Sequence, residues 1–492
     1  MEVKKGHPKG LYVLFFSEMW ERFSYYGMRA LLVLYMVDKF EFTDEAAYAV
    51  YGSYTALVYA TPIFGGLLAD RLLGNRKAVT LGAVLMALGH FAMAIENQTF
   101  FYLALALLIC GNGFFKPNIS TVVGRLYDEG DPRRDSGFTI FYMGINLGAG
   151  IAPLVCGFLG EKYGWSYGFG LAGFGMVAGL IVFLWGQRLL GGVAEPPDVD
   201  KLRRPVFAGL SREHAIYLGS AVAVAIAWLL VQRNTLVGQL LLVVGGVVFA
   251  GLIYFMAARS TKEERDAMLV ALVLISFSMV FWAFFEQAGS SINLFTERNV
   301  DRMVFGHQIP TSMFQSVNPA FILSFAPIFS WLWVKLAKVG HEPRTPTKFA
   351  LGVVQLAAGF GILWFGAVSA KDTGHVWIGF LVLGYLLHTT GELCLSPIGL
   401  SMITKLSPAR IVGVMMGTWF LATAFSQYVA SIIAALTGVH GEGAAAGAVP
   451  PPTETVMIYG RVFGQIALFA LAVGIIAFLV SPFLKKRMHG VH

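Results

Sequence analysis

Charge is what this sequence has least of. Only 13% of its 492 residues are Asp, Glu, Lys or Arg, about half the share of a soluble domain. Apolar residues make up 56%, and the mean hydropathy is +0.66. A water-soluble globular chain is excluded. Cysteine is scarce too. Cys110, Cys156 and Cys394 each fall in an apolar stretch, so neither a disulfide framework nor a cysteine metal centre is expected. No nucleophile triad, metal-ligand cluster or phosphate-binding loop stands in the sequence. That argues against an enzyme and against a cofactor. A cleavable leader is not expected either: the first apolar stretch, Leu11 to Val37, is too long and too charged.

What is present is a series of apolar runs long enough to cross a bilayer, which takes about 20 residues in a helix. Fourteen such segments are predicted: 11–37, 47–69, 77–95, 99–123, 136–160, 166–187, 214–231, 236–258, 267–291, 311–337, 348–370, 376–404, 411–438 and 457–484. The expected fold class is therefore an all-α polytopic membrane protein. An even number of crossings puts both termini on one side. Of the 36 Lys and Arg residues, 26 fall in the loops on that side, Lys4 and Lys5 among them, and 7 in the loops opposite. The positive-inside rule makes the richer side cytoplasmic. The net charge of +7 is thus a topology signal, and no nucleic-acid partner is expected.

The chain divides at Gly186–Arg212, a stretch with Gly191-Gly192, Pro196-Pro197 and mixed charge. Residues 1–188 form one six-helix set, 189–262 a linker with a two-helix hairpin, and 263–492 a second six-helix set. The sets echo each other. Gly111-Asn112, Lys116-Pro117 and Arg125-Leu126 align without gaps on Gly391-Glu392, Ser396-Pro397 and Lys405-Leu406. A parallel repeat of this kind places a solute site near the midplane.

Three basic residues, Arg22, Arg29 and Lys116, lie inside apolar segments. An ionisable group there costs about 2.5–3.5 kcal/mol on insertion scales, so it needs a partner or water. In the first segment Glu18, Glu21, Arg22, Tyr25 and Arg29 recur at helical spacing and share one face. A stripe that only fixes helix packing is the alternative reading. Glu286 and Glu392 are the midspan acids of the second half. Asn146, Asn318, His388, Tyr59 and Trp419 add polar or aromatic groups, each also compatible with plain packing. Cations in the first half suit a carboxylate, and acids in the second suit an ammonium. Together they suit a zwitterion such as a peptide.

These residues carry a resemblance. Glu18-x-x-Glu21-Arg22 resembles the ExxER motif of proton-dependent oligopeptide transporters, a family of the major facilitator superfamily. Gly65-Gly66-Leu67-Leu68-Ala69-Asp70-Arg71 through Arg76, and Phe138 through Gly148, are similar to its two signatures. Phe115-Lys116-Pro117-Asn118 and Phe314-Gln315-Ser316-Val317-Asn318-Pro319 also match. The resemblance implies the major facilitator fold, two six-helix bundles plus the two-helix insertion typical of bacterial members. It implies a proton-coupled symporter importing di- and tripeptides, working as a monomer in the cytoplasmic membrane, with protons as coupling ion. Another small solute on the same fold, such as nitrate or a drug, is the alternative.

Residue by residue, the resemblance implies that Arg22 and Lys116 hold the peptide carboxylate. Asn146, Asn318 and Glu392 would hold the amino end, with Tyr25, Tyr26 and Tyr59 lining the site and Trp419 as an aromatic wall. Arg29 and Glu286 would form a protonation-sensitive bridge. Glu18 and Glu21 would complete the coupling network with Arg22 and Lys116. Two departures stand out. Gln287 follows Glu286 where some members have a second Glu, and Tyr48–Asp70 lacks the histidine that animal relatives use.

Overall fold

The computed structural model describes residues 6–128, 130–207, 209–439 and 449–489; Lys4 and Lys5 lie outside them. It contains fourteen long helices among the described residues. They are α1 (Lys9–Phe40), α2 (Asp44–Leu73), α3 (Asn75–Met93), α4 (Gln98–Arg125), α5 (Arg134–Tyr163), α6 (Trp165–Leu190), α7 (Arg212–Val231), α8 (Asn234–Ala258), α9 (Lys262–Asn299), α10 (Thr311–Lys338), α11 (Thr345–Ser369), α12 (Ile378–Leu406), α13 (Ala409–Ala435) and α14 (Pro452–Arg487). Each coincides with one expected segment, its ends shifted by up to five residues, except that α9 runs eight residues past the expected end at 291. Twelve are long and apolar enough to cross a membrane on composition alone. The other two are α1, because of its intramembrane charges, and α3, whose Arg76, Lys77 and His90 lower its hydropathy. Strand is confined, among the described residues, to three pairs of two or three residues each.

Several helices are not regular throughout. In α2 a turn at Thr61 precedes Pro62, and Ala69–Leu73 is π-helical. In α5 the wide π turn Pro153–Gly157 follows Pro153. Helix α9 leaves α geometry at Glu286–Gly289, a 3₁₀ turn, and resumes at Ser291. Helix α10 starts as a 3₁₀ turn over Thr311–Ser316. Prolines at 62, 117, 153, 319 and 397 could each give a helix a bend, and they divide. Pro62 and Pro153 mark irregularities, whereas Pro117 sits in unbroken α4 and Pro319 in the first regular turn of α10. The backbone of α12 is helical through Pro397. An α-helix tolerates a proline when neighbouring groups re-satisfy the freed carbonyl.

The chain packs as two compact units. One comprises Met1–Leu32, Leu57–Arg233 and Ser312–Pro319; the other comprises Val33–Ala56, Asn234–Thr311 and Ala320–His492. Helices α1, α2 and α10 each contribute to both, and the α7–α8 hairpin divides at Arg233. In the first unit α4 packs chiefly on α3, and α6 on the other side of α3. In the second, α11 is clasped by α14 and α12. The two close pairs use one device. A Cβ on Gly82 of α3 would come within 2.6 Å of the Gly111 carbonyl oxygen of α4, and a Cβ on Gly352 of α11 within 2.8 Å of that of Gly391 on α12. Real Cβ atoms do not approach so closely, so glycine is required for these backbones to touch. Gly111 and Gly391 are equivalent positions of the sequence repeat.

Helices α7 and α8 bury little of themselves. Val222 and Ile226 on α7, and Val243, Val247 and Tyr254 on α8, are more than half exposed. Apolar side chains on that scale suit a lipid-facing hairpin.

Candidate functional site

The most buried charges of the first unit lie on α1. Glu18, Glu21 and Arg22 are 2%, 0% and 3% exposed. Arg22 sits between both acids. Its Nε donates to Glu21 Oε2 and its Nη2 to Glu21 Oε1 at 2.7 Å, while Nε lies 3.2 Å from Glu18 Oε1. Glu21 thus engages the guanidinium through two nitrogens and Glu18 through one. The other Glu18 oxygen, Oε2, is buried with no hydrogen-bond partner among the described residues. From α4, Asn112 Nδ2 donates to Glu21 Oε1 at 3.4 Å, near the limit for such a bond. Two acids around one base leave a formal charge of −1 on the cluster when both acids are ionised. A buried charge excess of this kind is costly.

The three intramembrane cations, Arg22, Arg29 and Lys116, each also rest on a tyrosine. The Arg22 guanidinium carbon is 5.3 Å from the Tyr25 ring, that of Arg29 5.7 Å from Tyr26, and Lys116 Nζ 4.5 Å from Tyr59. The Tyr25 and Tyr26 rings meet edge to face at 5.3 Å. A cation over an aromatic face keeps part of its stabilisation away from water. Tyr59 is the penultimate residue of the first stretch of α2, two residues before the turn at Thr61. Asn146, 5% exposed on α5, donates to the Tyr142 carbonyl. Asn318 lies in the first turn of α10, in the segment Ser312–Pro319 that packs with this unit. The same segment is tied to α5, where Glu161 Oε1 accepts from Ser312 N at 2.7 Å and Ser312 Oγ at 2.5 Å.

In the second unit Glu286 is 5% exposed and sits where α9 leaves α geometry. Its neighbour Gln287, wholly buried, explains the shape of that break. Gln287 Nε2 donates to Ala283 O at 3.1 Å and across to Ala430 O of α13 at 2.9 Å, and Oε1 accepts from Ser291 Oγ at 2.6 Å. Glu392, 8% exposed, lies on α12 one turn after His388, whose ring packs on Phe360 at 4.6 Å. The indole of Trp419, on α13, lies against Gly399 of α12, where a Cβ would strike it. Arg29 belongs to the first unit and Glu286 to the second.

Two features escaped the sequence reading. Gln287 stands where some family members carry a second acid, yet it braces α9 to α13; a lone amide at midspan is the available signal. Asp44 and Arg298 gave no motif, but in the second unit they form a fork-to-fork pair at 2.6 and 2.8 Å, with Tyr459 Oη accepting from Arg298 at 3.1 Å. That pair ties the start of α2 to the end of α9. Among the described residues no three His, Cys, Asp or Glu side chains converge as a metal site would need.

Comparison with known proteins bears on the whole chain. The family model of the POT family matches residues 76–448. An uncharacterized transporter of Bacillus subtilis (strain 168), YclF, is 38% identical over 504 aligned residues, covering 99% of this chain and 96% of that protein. The peptide transporter YePEPT of Yersinia enterocolitica subsp. palearctica serotype O:3 (strain YE-P4) is 39% identical, covering 87% of this chain and 88% of its own length. Among solved structures, a peptide transporter POT mutant in complex with alafosfalin matches with a TM-score of 0.84 and 37% identity, over 99% of this chain and 97% of that one. With the ExxER stripe, the fourteen helices and these matches together, the chain belongs to the POT family of the major facilitator superfamily.

Proposed function

We infer that this protein imports di- and tripeptides together with protons across the cytoplasmic membrane by alternating access. The reading places both termini in the cytoplasm and takes the monomer as the working unit. It divides the chain into six helices over 1–188, the linker and hairpin over 189–262, and six helices over 263–492. The observation that carries it is the buried trio on α1, one base between two acids with one carboxylate oxygen left over.

Glu18 Oε2 is the atom that gains most from a proton. Protonation turns an unsatisfied acceptor into a donor and brings the trio to neutrality, whereas protonating Glu21 would sacrifice the two-nitrogen clasp on Arg22. A peptide carboxylate arriving at Arg22 and Lys116 competes with Glu18 for the guanidinium, so peptide and proton favour each other's binding. Tyr25, Tyr26 and Tyr59 line the path of the substrate and hold the cations from behind. Asn146, Asn318 and Glu392 take the amino end, and Trp419 forms an apolar wall. Glu21 keeps Arg22 in place, while Arg29 and Glu286 carry the charges that answer protonation. The driving force is adequate: one positive charge moved through 100 mV is worth about 2.3 kcal/mol, roughly fifty-fold in accumulation. A zwitterionic peptide, neutral overall, gains it only by travelling with a proton.

The test is uptake of labelled dialanine into proteoliposomes under an imposed inward proton gradient, with nitrate and free alanine as competitors. Accumulation that collapses with a protonophore and resists both competitors is expected. Uptake suppressed by nitrate, or indifferent to the gradient, overturns the reading.

A further inference from the structure

Away from the buried charges, the second unit contains a recess of about 420 Å³ where three helix ends meet. The turn into α11 supplies Glu342, Arg344 and Lys348, the last turns of α12 supply Ser401 and Lys405, and the residue after α14, Met488, closes one side with Met402 and Ile398. The positive-inside rule explains why basic residues occur at these ends. It does not explain their convergence on one cavity. Three cations line the recess against one acid, and Glu342 is bonded to Lys348 Nζ at 2.5 Å. The recess therefore carries a net charge of about +2 by formal count.

The depth of the recess is marked by its neighbours. Trp331 on α10 is 60% exposed with Lys335 Nζ 4.8 Å from its ring, and Trp333 takes Lys348 Nζ at 4.6 Å. Exposed Trp beside Lys at a helix end marks the level of lipid headgroups. The recess shares Lys348 with that belt. It thus combines cationic side chains, apolar lining from Ile398, Met402 and Met488, and a place beside the headgroup-level Trp and Lys residues. Basic pockets between helices at that depth hold anionic headgroups.

We propose that this recess binds the phosphate headgroup of an anionic phospholipid, held by Arg344, Lys348 and Lys405, with the first acyl carbons on the methionines. Glu342 competes with the lipid phosphate for Lys348. The proposal does not depend on the transported solute.

The experiment uses the full chain in detergent, with binding of phosphatidylglycerol, phosphatidylcholine and inorganic phosphate each followed by native mass spectrometry and thermal shift. Each cation removed is expected to weaken phosphatidylglycerol about fivefold, so Arg344→Ala with Lys405→Ala weakens it about 25-fold and leaves phosphatidylcholine unchanged. Glu342→Gln is expected to strengthen phosphatidylglycerol binding, a gain that a merely damaged fold does not give. Unchanged phosphatidylglycerol affinity in the double variant overturns the site. Inorganic phosphate binding as tightly as phosphatidylglycerol, with the same loss in the variant, overturns the lipid as occupant. So does a Glu342→Gln protein that binds phosphatidylglycerol no better than the parent.

Discussion

The two units bury their polar groups in different ways. In the first, opposite charges are neighbours on a single helix: Arg22 reaches Glu18 and Glu21 within one turn of α1. In the second, the acids Glu286 and Glu392 stand on separate helices, the neutral Gln287 amide joins α9 to α13, and the buried ion pair Asp44–Arg298 links two helices and not neighbours on one. The repeat shows the same divergence in register. Asn112 and Lys116 of α4 correspond to Glu392 and Ser396 of α12, while the glycines before them, Gly111 and Gly391, do the same packing. Packing was kept in both halves and charge was not. One unit gathers its midspan charges on a single helix, and the other spreads Glu286 and Glu392 over two.

The sharpest way to break this contrast is Glu21→Gln. It weakens the charge-assisted two-nitrogen clasp on Arg22, worth up to about 3 kcal/mol. It also leaves Glu18 as the one carboxylate of an already neutral pair, with less reason to take a proton, so proton-driven dialanine uptake is expected to fall about a hundredfold. Peptide counterflow, which needs no net proton movement, is expected to persist. Wild-type proton-driven uptake in this variant would sink the coupling role. Lys116→Ala comes next. Loss of a charge-assisted contact to the peptide carboxylate is expected to raise KM for dialanine about thirtyfold with little change in the protein's melting temperature. An unchanged KM would remove Lys116 from the substrate site.

The shared device is tested by Gly82→Ala and Gly352→Ala. Both put a methyl group against a carbonyl oxygen, and both are expected to destabilise by about 2 kcal/mol. A large effect in one and none in the other would show that the two glycine contacts are not equivalent. Gln287→Leu fills the same space but leaves the Ala430 carbonyl without its donor, an expected loss of about 1.5 kcal/mol read as a lowered melting temperature. An unchanged melting temperature would mean the brace is idle. Asn112→Ala, at the end of a 3.4 Å bond to Glu21, is expected to cost only about 0.5 kcal/mol. A loss of uptake as large as that of Glu21→Gln would instead place Asn112 at the centre of the network.

Runs of apolar residues located the long helices, including α1 and α3 whose charges lower their hydropathy, because each must bury about 20 residues in the bilayer whatever its neighbours are. Helical spacing also placed Glu18 and Arg22 together, four residues apart. It did not reveal that Glu21 is the stronger partner. Adjacent residues on a helix point about 100° apart, and only the length of the arginine side chain lets it fold back. The break in α9 was hidden for a related reason. Glu286-Gln287-Ala288-Gly289 contains no proline, and the turn is set by a bond to α13, 143 positions away. Asp44 and Arg298, 254 positions apart, are likewise joined by tertiary folding that no local pattern records. The interruption at Pro153, by contrast, coincides with a local feature, a proline that removes a helix donor where it stands.

The glycine contacts carry a mechanical consequence. Where α3 and α4, or α11 and α12, touch backbone to backbone, the pair behaves as one stiff double beam. It has little slack for sliding, because no side chain lies between the two backbones to repack. Any flexing of the protein is then relegated to the joints where the hydrogen-bond ladder is already interrupted: the turn before Pro62, the wide turn at Pro153–Gly157, and the 3₁₀ step at Glu286–Gly289. The third of these joints has the buried acid Glu286 as its first residue, so bending there and a change of charge there fall on the same turn.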